Sequence, residues 1–70
     1  MKNRLEELRS QRGWTQQELA DQVEVSRQTI ISLESGRYNP SILLAFRLAH
    51  VFQMPIEELF LYSPEEENHE

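Results

Sequence analysis

Apolar residues recur along this chain at helical spacing, and no useful run alternates as a strand would. Residues 2–12 carry Leu5 and Leu8 on one side, with Arg4, Glu7 and Gln11 on other faces. Gly13 follows, where a helix C-cap would sit. Thr15-Gln16-Gln17-Glu18 has the form of a capping box, in which Thr15 and Glu18 reciprocally satisfy free N–H groups. Leu19, Ala20 and Val23 form the stripe of the second helix, and Glu24-Val25 breaks the rhythm. Ser26 caps a third helix, whose apolar positions are Ile30 and Leu33 and which ends at Gly36. Pro40 disfavours helical backbone at Asn39, so residues 37–40 are a loop. Ser41 caps a fourth helix through Leu44, Ala45, Leu48, Ala49 and Phe52. Pro55 suits the first turn of a short fifth helix running to about Phe60, with Glu57 and Glu58 near its positive end. Leu61 and Tyr62 read as a short strand or an apolar arm, and residues 1–3 are the expected partner of 61–63 in a small ribbon. The expected fold is all-α, five short helices in one domain over residues 1–62, with an acidic flexible tail over 63–70.

Composition removes several classes of function. With 70 residues, one small domain with a thin core is the expectation. No cysteine is present, which excludes a disulfide framework, a thiolate zinc site and a cysteine nucleophile. The two histidines, His50 and His69, lie far apart and form no metal-ligand spacing, so no cofactor is expected. The longest apolar run, from Ile42 to Phe46, falls far short of the ~20 residues that span a bilayer. No apolar segment follows the N-terminal Met1-Lys2-Asn3-Arg4 as in a signal peptide, and a cytoplasmic location is expected. The net charge of −5 argues at first against nucleic acid, but it is unevenly spread. All seven Lys and Arg fall within residues 1–47 against six acids there, while the last 23 residues hold the other six acids and no base. A DNA backbone responds to the field of one face rather than to the total.

The helices over 15–23 and 26–35 are joined by a turn of two or three residues, which is the helix-turn-helix arrangement. Ala20 suits the closest approach of the two axes, and Val25 plugs the turn into the core. Ile30 and Leu33 hold the second helix of the pair to the domain, leaving Arg27, Gln28, Ile31 and Ser32 on its opposite face. Gln28 suits a bidentate pair with adenine, Arg27 one with guanine or a phosphate, and Ile31 a thymine methyl. Free N–H groups at Gln16 and Gln17, with the Gln16 amide, suit a phosphate. Arg37, Tyr38 and Asn39 are placed to touch the backbone again.

The string over residues 13–36, GWTQQELADQVEVSRQTIISLESG, resembles the Xre family of regulators, similar to the Cro and cI repressors of lambdoid phages. The likeness continues through Tyr38-Asn39-Pro40-Ser41, Ala45-Phe46-Arg47-Leu48-Ala49 and Ile56-Glu57-Glu58-Leu59-Phe60, and so covers residues 1–62. The compact form is similar to the small stand-alone regulators of the cytolysin repressor type. The resemblance implies a lambda-repressor-like five-helix bundle that binds double-stranded DNA as a homodimer on a near-palindromic operator. It further implies that Gln16 clamps a phosphate and that Arg27, Gln28 and Ser32 face bases. Ser35, Arg37 and Asn39 then match backbone-contacting positions, and Arg9 and Glu34 an ion pair tying the first helix to the third. One departure is Glu24, where the family's turn usually carries glycine.

Blander readings stand beside these. The capping box begins a helix whether or not DNA is bound. Trp14 reads as a packing residue, His50 as a surface position, and the Glu65-Glu66-Glu67 run as a solubilising tail. Ile31 would also suit a core or dimer contact. The apolar set Phe52, Leu59, Phe60, Leu61 and Tyr62 either folds back onto the first and fourth helices or forms a symmetric dimer surface, the second being favoured for a protein with a thin core. The acidic composition leaves a protein-interaction module, such as an antitoxin-like or anti-repressor partner, as the alternative function. An enzyme is disfavoured: no nucleophile stands with a base, no glycine-rich loop is present, and no small-molecule substrate or membrane partner is implied.

Overall fold

In the computed structural model, which describes residues 1–62, each break in the apolar rhythm becomes a helix end. The expected tail over 63–70, with His69 and Ser63 of the expected ribbon, lies outside the described residues. The order is β1 (Lys2–Asn3), α1 (Leu5–Gln11), α2 (Gln16–Val23), α3 (Arg27–Glu34), α4 (Ile42–Phe52), α5 (Ile56–Leu59) and β2 (Phe60–Leu61). The two strands pair antiparallel, Lys2 opposite Leu61 and Asn3 opposite Phe60. This ribbon takes the start of the segment that the apolar spacing assigned to the first helix. Asn3 sets the boundary: its Oδ1 accepts the Leu5 N–H at 3.0 Å, and helix begins there.

Three helices begin with a hydroxyl cap. Thr15 and Glu18 form the capping box, and Ser26 and Ser41 accept the N–H groups of Thr29 and Leu44. Each such cap contributes about 1 kcal/mol. Helices α1 to α4 end alike. The N–H of Trp14, Val25, Arg37 and Met54 bonds the carbonyl five residues earlier, at Arg9, Ala20, Ser32 and Ala49. Such an end requires a left-handed residue just before the donor. Gly13 and Gly36 meet that need without strain, whereas Glu24 (φ 63°) and Gln53 (φ 56°) adopt it despite their Cβ atoms. The departure from glycine at Glu24 therefore leaves the turn geometry intact. Trp14, Val25 and Met54 then fold inward against the core, which fixes where each helix stops.

The core joins Leu5 and Leu8 of α1, Leu19, Ala20 and Val23 of α2, Ile30 and Leu33 of α3, Leu44, Leu48 and Phe52 of α4, and Leu59 with Phe60. Burying a leucine or isoleucine side chain stabilises by about 1.5–3 kcal/mol, and most of these are sealed completely. Helices α2 and α3 share the densest packing of any two elements described. Ala20 is wholly buried there, where a larger side chain would separate the axes. This core corrects one expectation. Phe52, Leu59 and Phe60 belong to the chain's own interior and are closed to a dimer contact, while Leu61 and Tyr62 stay exposed. Their burial follows from the ribbon, which folds the chain end back: the Arg4 N–H donates to the Leu59 carbonyl at 2.9 Å. Trp14 packs on Phe52 with ring centroids 5.6 Å apart, and Arg12 covers both rings while donating to the Phe52 carbonyl at 3.0 Å.

An ion pair ties α1 to α3. Arg9 Nε donates to Glu34 Oε2 at 2.7 Å and Nη2 to Oε1 at 3.4 Å, and Nη1 reaches the Trp14 carbonyl at 2.8 Å. The side chains are 13% and 6% exposed, so little water screens the pair. The hydrogen bond to Glu34 raises the guanidinium pKa, outweighing the burial that lowers it.

Two expected outcomes follow from this packing. Arg9→Ala strands a nearly buried carboxylate and should cost about 2–4 kcal/mol in urea denaturation; a cost under half a kcal/mol would show that the pair is not a structural tie. Glu24→Gly and Gln53→Gly should each relieve left-handed strain and raise Tm by several degrees, about 0.5–1 kcal/mol. An unchanged or lower Tm for both would show that no strain is held there.

Candidate nucleic-acid interface

Helix α3 is amphipathic in three dimensions. Ile30 and Leu33 are sealed in the core, while Arg27 and Gln28 on the other side are exposed. Ile31 and Ser32 are half-buried, so the four expected reading residues share one face with unequal projection. The residues at the helix start stand clear, and those further along sink toward the following loop. Gln28 and Ser32, with Ser26 and Thr29, line a shallow depression of about 340 Å³ together with Tyr38 of that loop. The fold thus brings Tyr38 beside the face of α3.

Most basic side chains of the described residues are committed. Arg4 pairs with Glu7, Arg9 with Glu34, and Arg47 with Glu24 at 3.7 Å while donating to the Val23 carbonyl. Arg12 is bound to Phe52. Arg27 and Arg37 carry no ion pair among the described residues, and both are exposed. Across residues 26–41 the single acid is Glu34, and Arg9 holds it. The face formed by α3 and its following loop is therefore locally positive in a chain of net charge −5.

The start of α2 adds donors. The capping box occupies the N–H groups of Thr15 and Glu18 at 2.7 and 3.0 Å, leaving Gln16 and Gln17 as the first-turn donors without an intrahelical partner. Gln16 Nε2 donates to Glu34 Oε1 at 3.1 Å. That bond holds the amide beside the end of α3, and an amide nitrogen has a second proton free for an anion. The Gln17 side chain bonds Asp21 at 2.9 Å and so lies along the helix. Beyond α3, the Ser35 hydroxyl donates to the Ser32 carbonyl at 2.9 Å, while Arg37, Tyr38 and Asn39 are exposed.

Asn3, expected only as part of the ribbon, also fastens α3. Its Nδ2 donates to the Leu33 carbonyl at 2.7 Å and to the Met1 carbonyl at 3.4 Å, joining the ribbon to the last turn of α3. A short amide two positions before the first apolar helix residue was the available signal, but its second partner lies thirty residues away. No group of three or more metal-ligating side chains stands together, and no helix is long and apolar enough to cross a membrane, among the described residues.

The helix-turn-helix family model matches residues 5–59, which takes in all five helices. An HTH-type transcriptional regulator of Archaeoglobus fulgidus is 50% identical over 66 residues, covering 94% of each chain. The HTH-type transcriptional regulator YgzD of Bacillus subtilis is 44% identical over 68 residues, covering 97% of this chain and all of that one. The competence pilus inhibition repressor of Acinetobacter baylyi is 40% identical over 63 residues, which is 87% of this chain and 56% of the longer relative. With the two-helix unit, its exposed α3 and these relatives together, the chain belongs to the helix-turn-helix family of Cro/C1-type DNA-binding transcriptional regulators and is not an enzyme.

Proposed function

We propose that this regulator is a cytoplasmic repressor that binds a near-palindromic operator as a homodimer and reads bases with α3. The observation that carries the reading is the face over α3 and its loop, whose single acid, Glu34, is held by Arg9 and where Arg27 and Arg37 are left without an ion pair among the described residues. Arg27 and Gln28, projecting furthest, take base edges in the major groove, with Ser32 and the Ile31 side chain deeper along the same face. The free N–H groups of Gln16 and Gln17, with the Gln16 amide, hold a phosphate on one side. Ser35, Arg37, Tyr38 and Asn39 hold the backbone on the other. One α3 spans only a few base pairs, so a second copy one helical turn away supplies the remaining specificity. The role as a repressor is supported by the name of the Acinetobacter relative.

The test uses a site selected from genomic fragments at fixed salt, because phosphate contacts make affinity steeply salt-dependent. Gln28→Ala should weaken that site by ~1–3 kcal/mol, roughly 5- to 150-fold, and relax the preference at one base pair, while Tm stays within a degree or two. Unchanged affinity and preference would remove Gln28 from the reading face. Arg37→Ala should weaken all sequences alike and reduce the salt slope by about one. A loss confined to the selected site would instead place Arg37 on a base.

A further inference from the structure

Helix α4 is apolar on two sides. Leu44, Ala45, Leu48 and Phe52 face the core, yet on the opposite side Ile42 is 77% exposed, Leu43 59% and Phe46 60%. These three lie at i, i+1 and i+4, so they form one patch. The protomer's own packing does not account for it. Exposed to this degree they present on the order of 400 Å² of apolar surface, the size at which a patch on a monomer marks an interaction site. That is about half of what each partner gives to a standard interface.

We propose that this outer face of α4, rather than the chain end at Leu61 and Tyr62, is where a second copy of the chain docks. The inference rests on the homodimeric reading above and names its surface. Charge favours a like copy. A two-fold contact sets each group near its own counterpart, so an acidic face repels itself. The α4 sequence ILLAFRLAHVF has no Asp or Glu, and Glu24 beside its outer face is paired with Arg47 at 3.7 Å, whereas α1, α2 and α5 expose Glu6 and Glu7, Glu18 and Asp21, and Glu57 and Glu58. A contact centred on Leu61 and Tyr62 would lie close to the last pair. Beside the Phe46 ridge lies a hollow of about 350 Å³ lined by Gln22, Glu24, Arg47, His50 and Val51, so the face offers both a ridge and a hollow to its copy. The patch also begins directly after the loop that follows α3, which ties the position of the two-fold axis to the position of each α3.

Sedimentation equilibrium on the full chain and on Phe46→Glu, Leu43→Glu and Tyr62→Glu tests this, with circular dichroism confirming the fold. The substituted side chains are all exposed, and either α4 variant suffices if the other fails to fold. Phe46→Glu and Leu43→Glu should raise the dimer dissociation constant by about 30-fold or more, with Tyr62→Glu near wild type. A dimer that survives both α4 variants overturns the α4 face and leaves the homodimeric reading standing. A wild-type chain that stays monomeric, free and on DNA, overturns the homodimeric reading and the α4 face with it.

Discussion

The carboxylate of Glu34 holds α1, α2 and α3 in register. It sits in the last turn of α3, where the helix dipole alone disfavours a negative charge. Arg9 from α1 reverses that balance with two hydrogen bonds, and Gln16 from α2 adds a third. With so little exposure, the charge is worth keeping only while both partners are present. One group therefore fixes both how α3 stands on the domain and where the Gln16 amide points. Asn3 fastens the same turn from the other side through the Leu33 carbonyl, and so couples the ribbon to the end of α3.

Caps and core stripes were legible because they are local. Thr15, Ser26 and Ser41 announce helix starts in their own side chains, and Ile30 with Leu33 are sealed as their spacing requires. What escaped was decided by distance along the chain. Gln16 reads as a phosphate donor at a helix start, and nothing near it says that its amide also rests on Glu34, eighteen residues on. Asn3 carries no periodic signal at all. The division of the C-terminal apolar set followed from the ribbon, whose pairing of Asn3 with Phe60 turns Phe60 inward and leaves Leu61 out. Counting apolar residues over 52–62 could not make that division. Within the run from Ile42 to Phe46, helical spacing with Leu48 and Phe52 marks Leu44 and Ala45 as core, and they are buried while Ile42, Leu43 and Phe46 are left outside.

Glu24 shows the limit of a motif. Its left-handed backbone belongs to the shape of the helix end, enforced by Val25 packing inward and by the bond from the Val25 N–H to the Ala20 carbonyl. Partial burial of Val25 together with that hydrogen bond offsets the ~1–2 kcal/mol of strain. Arg47 makes partial use of the side chain by pairing with it. Likewise, net charge misleads in this chain. Among the described residues, Glu6, Glu7, Glu18, Asp21, Glu57 and Glu58 are exposed on α1, α2 and α5, whereas α3 and its loop carry Arg27 and Arg37 without an ion pair. What matters to a polyanion is that local field, within about a Debye length (~10 Å at moderate salt).

The most direct measurement is a chemical-shift map of the ¹⁵N-labelled protein titrated with its selected duplex. The account predicts that the amides of Gln16 and Gln17, of α3 from Arg27 to Ser32, and of residues 35–39 move together, while those of α5 and of the outer side of α1 stay in place. Shifts centred on α1 or α5, with the α3 amides unmoved, would contradict it.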